Sequence, residues 1–234
     1  MSFIITIKTG EGFVMASDSR ITFTTTETLP NGTQNVKLGT HISDTTYKTF
    51  LTPNNVGIST CGNSSLNGQP ITGYIESYIN TYCSENVDQM KDSIRTYFRA
   101  LNMQLKTFFI LAGFVKDNEG NFIPHCYRVN IAADTVEDCS SYPALWDGEK
   151  SVMSRLTTPL YLKKADGTYI EHSKNEILWQ YFTLQDAIDF ARYAVQVTID
   201  TMRFQETVKT VGGPVDVLVI RPDGGRWISR KELK

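Results

Sequence analysis

The chain has 234 residues, a length that fits one generous α/β domain or two tight ones and leaves ample interior for a stable core. Lys plus Arg number 23 and Asp plus Glu 25, a formal net charge of −2, so the basic footprint of a nucleic-acid binder is missing. Hydrophobic residues at 41% and charged residues at 21% exclude a disordered or low-complexity chain, and the longest apolar runs, such as Phe108 to Val115, are far short of the roughly 18 residues of a membrane span.

In chain order, Phe3 to Lys8 and Phe13 to Ser17 are β-branched and aromatic runs joined by Thr9-Gly10-Glu11-Gly12, the pattern of a hairpin. Ile21 to Asp44 is rich in Thr, Asn and Gly around Pro30-Asn31-Gly32, which predicts an exposed hairpin or long flap. Thr49 to Leu51 and Val56 to Cys61 read as another strand pair. The period then changes: Ile71, Ile75, Tyr78, Ile79 and Tyr82 share one helical stripe, and Ile94, Tyr97, Phe98, Leu101 and Leu105 a second, with a break near Cys83 to Asn86. Strands return at Phe108 to Val115 and Phe122 to Val129, and short segments near Thr135 and Ala144 are expected to extend the same sheet. Thr157 to Glu176 is a polar connection with Asp166-Gly167 at the tip of a loop or hairpin. Thr183 and Asp186 form a capping-box-like start to a third long helix whose stripe runs from Ala187 to Met202. Val215 to Ile220 and Arg226 to Ser229 flank Pro222-Asp223-Gly224-Gly225 as a closing hairpin. Strands, two helices, strands, helix and strands in that order fit two antiparallel sheets covered by helices better than an alternating parallel sheet.

The start Met-Ser-Phe-Ile-Ile-Thr-Ile-Lys lacks the pattern of a secretory signal, so a cytoplasmic location is expected. Cys61, Cys83, Cys126 and Cys139 form no CxxC pair and are expected to be buried free thiols. His41, His125 and His172 lack metal-ligand spacing, and HExxH, GxSxG, P-loop and GxGxxG motifs are missing, so neither metal nor cofactor is expected.

The sharpest local feature is Ala16-Ser17-Asp18-Ser19-Arg20, where an Asp and an Arg two residues apart on a strand point to one face and can pair or share a partner. Together, Ser2, Val14-Met15-Ala16-Ser17-Asp18-Ser19-Arg20, Lys48 in Tyr47-Lys48-Thr49-Phe50, and Thr60-Cys61-Gly62-Asn63 resemble the signature of the proteasome β-type N-terminal nucleophile hydrolases. Thr201-Met202-Arg203 followed by Gly212-Gly213-Pro214-Val215-Asp216 is similar to the ancestral-type bacterial homologues of that family.

The resemblance implies an α+β fold, a four-layer αββα sandwich of two antiparallel sheets flanked by helices, formed by residues 1–234 as a single domain. It also implies a peptidase without cofactor in which Ser2, exposed by removal of Met1, attacks through its hydroxyl. The Ser2 α-amine, whose ordinary pKa is about 7.7–8.0, would be the general base. By the same resemblance Lys48 supplies positive charge beside Ser2, Asp18 compensates Lys48 and orients Ser2, Arg20 holds the Asp18 turn, and the Gly62 N–H faces the developing oxyanion. Thr60 and Ser64, with Ile21 and Phe50 nearby, would line the substrate pocket. Expected partners are a peptide or unfolded-protein substrate and copies of the chain in a ring or helical stack, with neither nucleic acid nor membrane. An amidase or transpeptidase on the same scaffold is the alternative, as is an inactive ring-forming homologue if Met1 is retained. Two departures stand out: the Ser and Asp that support the amine in the family have only Asp147-Gly148-Glu149 and Thr201 as candidate regions, with Asp200 or Glu206 as stand-ins, and the stretch from Arg20 to Lys48 is longer than the family norm.

Overall fold

The computed structural model describes residues 2–172 and 176–232. The first strands are β1 (Phe3–Lys8), β2 (Phe13–Ser17), β3 (Ile21–Thr28), β4 (Gln34–Ser43), β5 (Thr49–Leu51), β6 (Gly57–Gly62), β7 (Ser65–Leu66) and β8 (Gln69–Pro70). Helices α1 (Ile71–Thr81) and α2 (Val87–Leu101) follow, then β9 (Thr107–Lys116), β10 (Phe122–Asn130), β11 (Thr135–Asp138) and β12 (Ala144–Gly148). The last third holds α3 (Ser151–Thr157), β13 (Leu160–Lys163), β14 (Tyr169–His172), α4 (Leu184–Phe204), β15 (Asp216–Arg221) and β16 (Gly224–Ser229).

Two five-stranded antiparallel sheets, ordered β12-β1-β2-β15-β16 and β11-β10-β9-β6-β5, carry the fold. Their central strands are apolar on both faces, and period-2 alternation splits each run between two cores. Phe3, Ile5 and Ile7 of β1 and Val217 and Val219 of β15 pack with Ala187, Ala191, Ala194 and Val195 of α4. The intervening Ile4, Met15, Leu218 and Ile220 instead meet Ile110 and Ala112 of β9 and Cys126 of β10. On the second sheet, Phe109 and Leu111 pack with Ile75 and Tyr78 of α1 and Met90, Ile94 and Phe98 of α2.

Helix α4 starts at the cap expected from the sequence, Thr183 with Asp186, and α2 starts just past the expected break on a second reciprocal capping box, Asn86 with Gln89, so orphan N–H groups are satisfied at both N-termini. Glu11, in the β1–β2 turn, also accepts from the Leu184 N–H at 2.8 Å, tying α4 to the first hairpin.

Several expectations are corrected. The segment after Ala144 does not extend the sheet of Phe108 to Asn130: β12 pairs with β1, bringing residues 147–149 beside the N-terminus. Leu105 is buried but lies beyond α2, which stops at Leu101. Within 151–176 lie a helical turn-pair, α3, and the hairpin β13–β14. Cys83 is exposed, whereas Cys61, Cys126 and Cys139 are buried free thiols. The long flap is the ribbon β3–β4, paired from Ile21↔Ser43 to Thr28↔Gln34. Among the described residues no helix is long and apolar enough to cross a membrane.

Phe98 joins α2 to the sheet, its ring 4.8 Å from that of Phe109 and 5.2 Å from that of Tyr97. Phe98→Ala empties a fully buried site, and the expected loss, read as the change in urea unfolding free energy, is about 3–5 kcal/mol.

Candidate active site

The polar centre of the molecule is built on Asp18, which follows β2 and is fully buried. Its Oδ1 accepts the Phe3 N–H at 3.0 Å and Lys48 Nζ at 2.7 Å; its Oδ2 accepts the Arg20 N–H at 3.1 Å and the Gly212 N–H at 3.0 Å. The Lys48 side chain is 5% exposed. Burial pulls its pKa below the ordinary lysine range, and Asp18 opposes that pull.

The turn around Asp18 is held from three sides. Ser19 donates its N–H to the Gly212 carbonyl at 2.9 Å and its hydroxyl to the Pro214 carbonyl at 2.6 Å, while its own carbonyl accepts the Thr46 N–H at 3.1 Å. Arg20 does not pair with Asp18 through its side chain. It makes a bidentate pair with Asp44, Nε to Oδ1 at 2.6 Å and Nη2 to Oδ2 at 2.7 Å, which holds the Asp44 carboxyl below the usual range. The Arg20 side chain therefore fixes the end of the flap, and its main chain serves Asp18. A Cβ at Gly212 would lie 2.5 Å from Arg20 Cζ, so a side chain there requires the guanidinium to move.

Ser2 is buried and held through its backbone. Its carbonyl accepts the Glu149 N–H at 2.8 Å, and the next amide, Phe3 N–H, belongs to Asp18. Gly148, paired with Phe3 across β12–β1, has φ +91° and no room for a side chain, because a Cβ would lie 1.8 Å from the Ser2 oxygen. Met1 lies outside the described residues, and with it the expectation that Ser2 carries a free amine.

A cleft is lined by Ser2, Arg20, Ile21, Lys48, Thr60, Gly62 and Ser64, with Thr46, Tyr47 and Cys61 among the others. Seven sequence-derived positions thus meet at one opening, with Asp18 bonded to Lys48 at its wall. Gly62 ends β6 at φ +114°, where a Cβ would lie 2.2 Å from the Lys106 carbonyl oxygen. The Thr60 hydroxyl donates to the Phe108 carbonyl at 3.2 Å. Phe50 is placed elsewhere: it is buried in the core beneath α1 and borders a separate groove with Leu51, Glu76 and Trp227.

Of the regions considered for supporting the amine, Asp147-Gly148-Glu149 lies beside Ser2, whereas Asp200 and Glu206 are exposed at the far end of α4 and beyond it. Asp147 is already engaged, by Arg128 Nη2 at 2.6 Å and Lys150 Nζ at 3.0 Å. Burial pushes the Cys61 thiol up to about 12, so it is no competing nucleophile at neutral pH. Arg128, the partner of Asp147, escaped the sequence reading because it reaches this region only through strand pairing, and Lys231 because it does so only through a chain reversal. Asp18→Asn leaves the Lys48 ammonium without its counter-charge and presents an NH2 to backbone donors; a loss of about 3–5 kcal/mol in chemical unfolding is expected, against little change for an exposed control such as Asp223→Asn.

No family model matches the chain, and no curated protein matches it either. Among solved structures, the Gly-1 mutant of Anbu from Hyphomicrobium sp. strain MC1 is similar in fold, with a TM-score of 0.56 and 14% identity over 99% of this chain and 86% of that one. The chain therefore shares with Anbu a mixed fold of antiparallel sheets and helices.

Proposed function

We propose that the chain is a proteasome-like N-terminal nucleophile peptidase, folded as one domain in the four-layer αββα arrangement and acting on peptides or unfolded chains. The observation that carries this reading is the convergence of Ser2, Lys48 and Gly62 on one cleft, with a single buried carboxylate bonded both to Lys48 and to the amide that follows Ser2. The fold likeness to Anbu supports the scaffold.

In this reading Met1 is removed and the freed Ser2 amine takes the proton of its own hydroxyl as Oγ attacks the scissile carbonyl. Lys48, held 2.7 Å from Asp18, lends positive potential to the developing alkoxide in a site largely closed to water. The Gly62 N–H receives the oxyanion, on a glycine whose side-chain position is taken by the Lys106 carbonyl. The amine then returns its proton to the leaving amine, and water resolves the acyl-enzyme by the same route. Ile21, Thr60 and Ser64 shape the entry, where a small polar and apolar lining writes no charge preference. Rings or stacks of copies would confine such sites.

Ser2→Ala is expected to abolish hydrolysis of short fluorogenic peptides with the thermal midpoint unchanged, because residue 2 is placed by backbone bonds. Lys48→Ala should lose turnover as well, by about 10²-fold or more, and lower the midpoint because Asp18 is stranded. Full turnover in Ser2→Ala, or intact mass retaining Met1 in material that hydrolyses peptides, rejects the assignment.

A further inference from the structure

A second buried ion pair lies beside the first. Asp216 opens β15 opposite Ser17 of β2, one position from Asp18, and is fully buried. Its carboxylate takes the Lys231 main-chain N–H at 2.8 Å and also Lys231 Nζ, on a side chain only 5% exposed. The chain beyond β16 therefore folds back into the molecule. Ser229 Oγ donates to the Val215 carbonyl at 3.0 Å, and the Tyr47 hydroxyl donates to the Lys231 carbonyl at 3.0 Å. Lys231 Nζ lies 4.3 Å from the Tyr47 ring centroid, and the Arg230 guanidinium lies 4.6 Å from it. Tyr47 immediately precedes Lys48 and lines the cleft.

A lysine gains nothing from such burial by itself. Taking an ammonium from water is costly unless it is paired, and without Lys231 the carboxylate of Asp216 would be a buried charge without that partner. The proposed chemistry uses neither group, yet Lys231 touches Tyr47 of the segment that presents Lys48, and Asp216 pairs across from Ser17 beside Asp18.

We propose that Lys231 is a positioning residue for Lys48: it neutralises Asp216 next to the Asp18–Lys48 pair, fixes the Tyr47 wall of the cleft, and sets the potential in which Lys48 holds its proton. The role in catalysis rests on the function proposed above; the electrostatic coupling does not. Lys48 is faced by Asp18, Lys231 and Cys61, with Asp44 at longer range; Lys231 is faced by Asp216, Asp18 and Arg230. Burial is the largest influence on Lys48, and the like charge of Lys231 works in the same downward direction. Removing that charge must let Lys48 keep its proton to higher pH.

The test is an NMR titration of the full chain labelled with 13C-lysine, following the Lys48 Cε resonance, identified by its loss in Lys48→Arg. Lys231→Gln is expected to raise the Lys48 midpoint by about half a unit or more, and Lys231→Arg to keep it at the wild-type value. Should Lys231→Gln not fold, the neutral pair Asp216→Asn with Lys231→Gln strands no charge and is expected to fold with a smaller upward shift. An unmoved Lys48 midpoint in the folded variant overturns the proposal. In parallel, a covalent inhibitor of N-terminal nucleophiles is applied to the wild-type chain and its adduct located by mass spectrometry. A shifted midpoint without a Ser2 adduct supports the coupling and rejects the peptidase reading. A Ser2 adduct with an unmoved midpoint does the reverse.

Discussion

Asp18 has no exposed surface, and a carboxylate cannot be buried without groups that replace its water. Here four donors do so, from Phe3, Arg20, Lys48 and Gly212, the last of them 194 positions away in sequence. The consequence is architectural. The first strand, the turn after β2, the segment before β5 and the Gly212-Gly213-Pro214 loop must all dock before the carboxylate is satisfied, so the cleft forms only in the completed fold. Ser19 works to the same end, bonding the Thr46, Gly212 and Pro214 main chains from a single buried residue.

Stability itself comes from elsewhere. Fully burying one large aliphatic or aromatic side chain contributes about 1.5–3 kcal/mol, and dozens are buried across the three apolar clusters. A buried ion pair, in contrast, roughly breaks even against an apolar pair of equal volume. Two such pairs, Asp18–Lys48 at the cleft and Asp216–Lys231 behind Tyr47 of its wall, therefore need a reason other than stability. Perturbed lysines concentrate where chemistry is done, and here the perturbed Lys48 borders the opening that holds Ser2.

Much of this was legible in the sequence, because local signals and tertiary demands agree there. The capping box at Thr183, the helical stripes of α1 and α4, and the turn clusters at Gly10 and Asp223 each specify a local structure that packing then keeps. The positions Ser2, Lys48 and Gly62 were legible only as a spaced pattern. What stayed hidden depends on long-range pairing. Nothing local says that the short run at Ala144 joins β1 rather than its neighbour in sequence, and so nothing placed Gly148 against the Ser2 carbonyl. Phe50 was expected near the pocket by resemblance, but β5 is the edge strand of the second sheet and Phe50 packs into the core under α1 with Ile58 and Ile75. Lys231 gave no signal at all, since a lysine in a charged stretch reads as solvated until the chain is seen to turn back.

The way residue 2 is held separates position from chemistry. Its carbonyl is gripped by the Glu149 N–H, its following amide by Asp18, and Gly148 leaves no space for that carbonyl to move outward. All three constraints act on backbone atoms and are blind to the side chain at residue 2. Asp18 and Lys48 are the opposite case, because each is the other's compensation and a change at either alters fold and site together. Removing the Ser2 hydroxyl therefore leaves the bonds that place residue 2 intact, so a change at that oxygen is read in the chemistry of the cleft rather than in its frame.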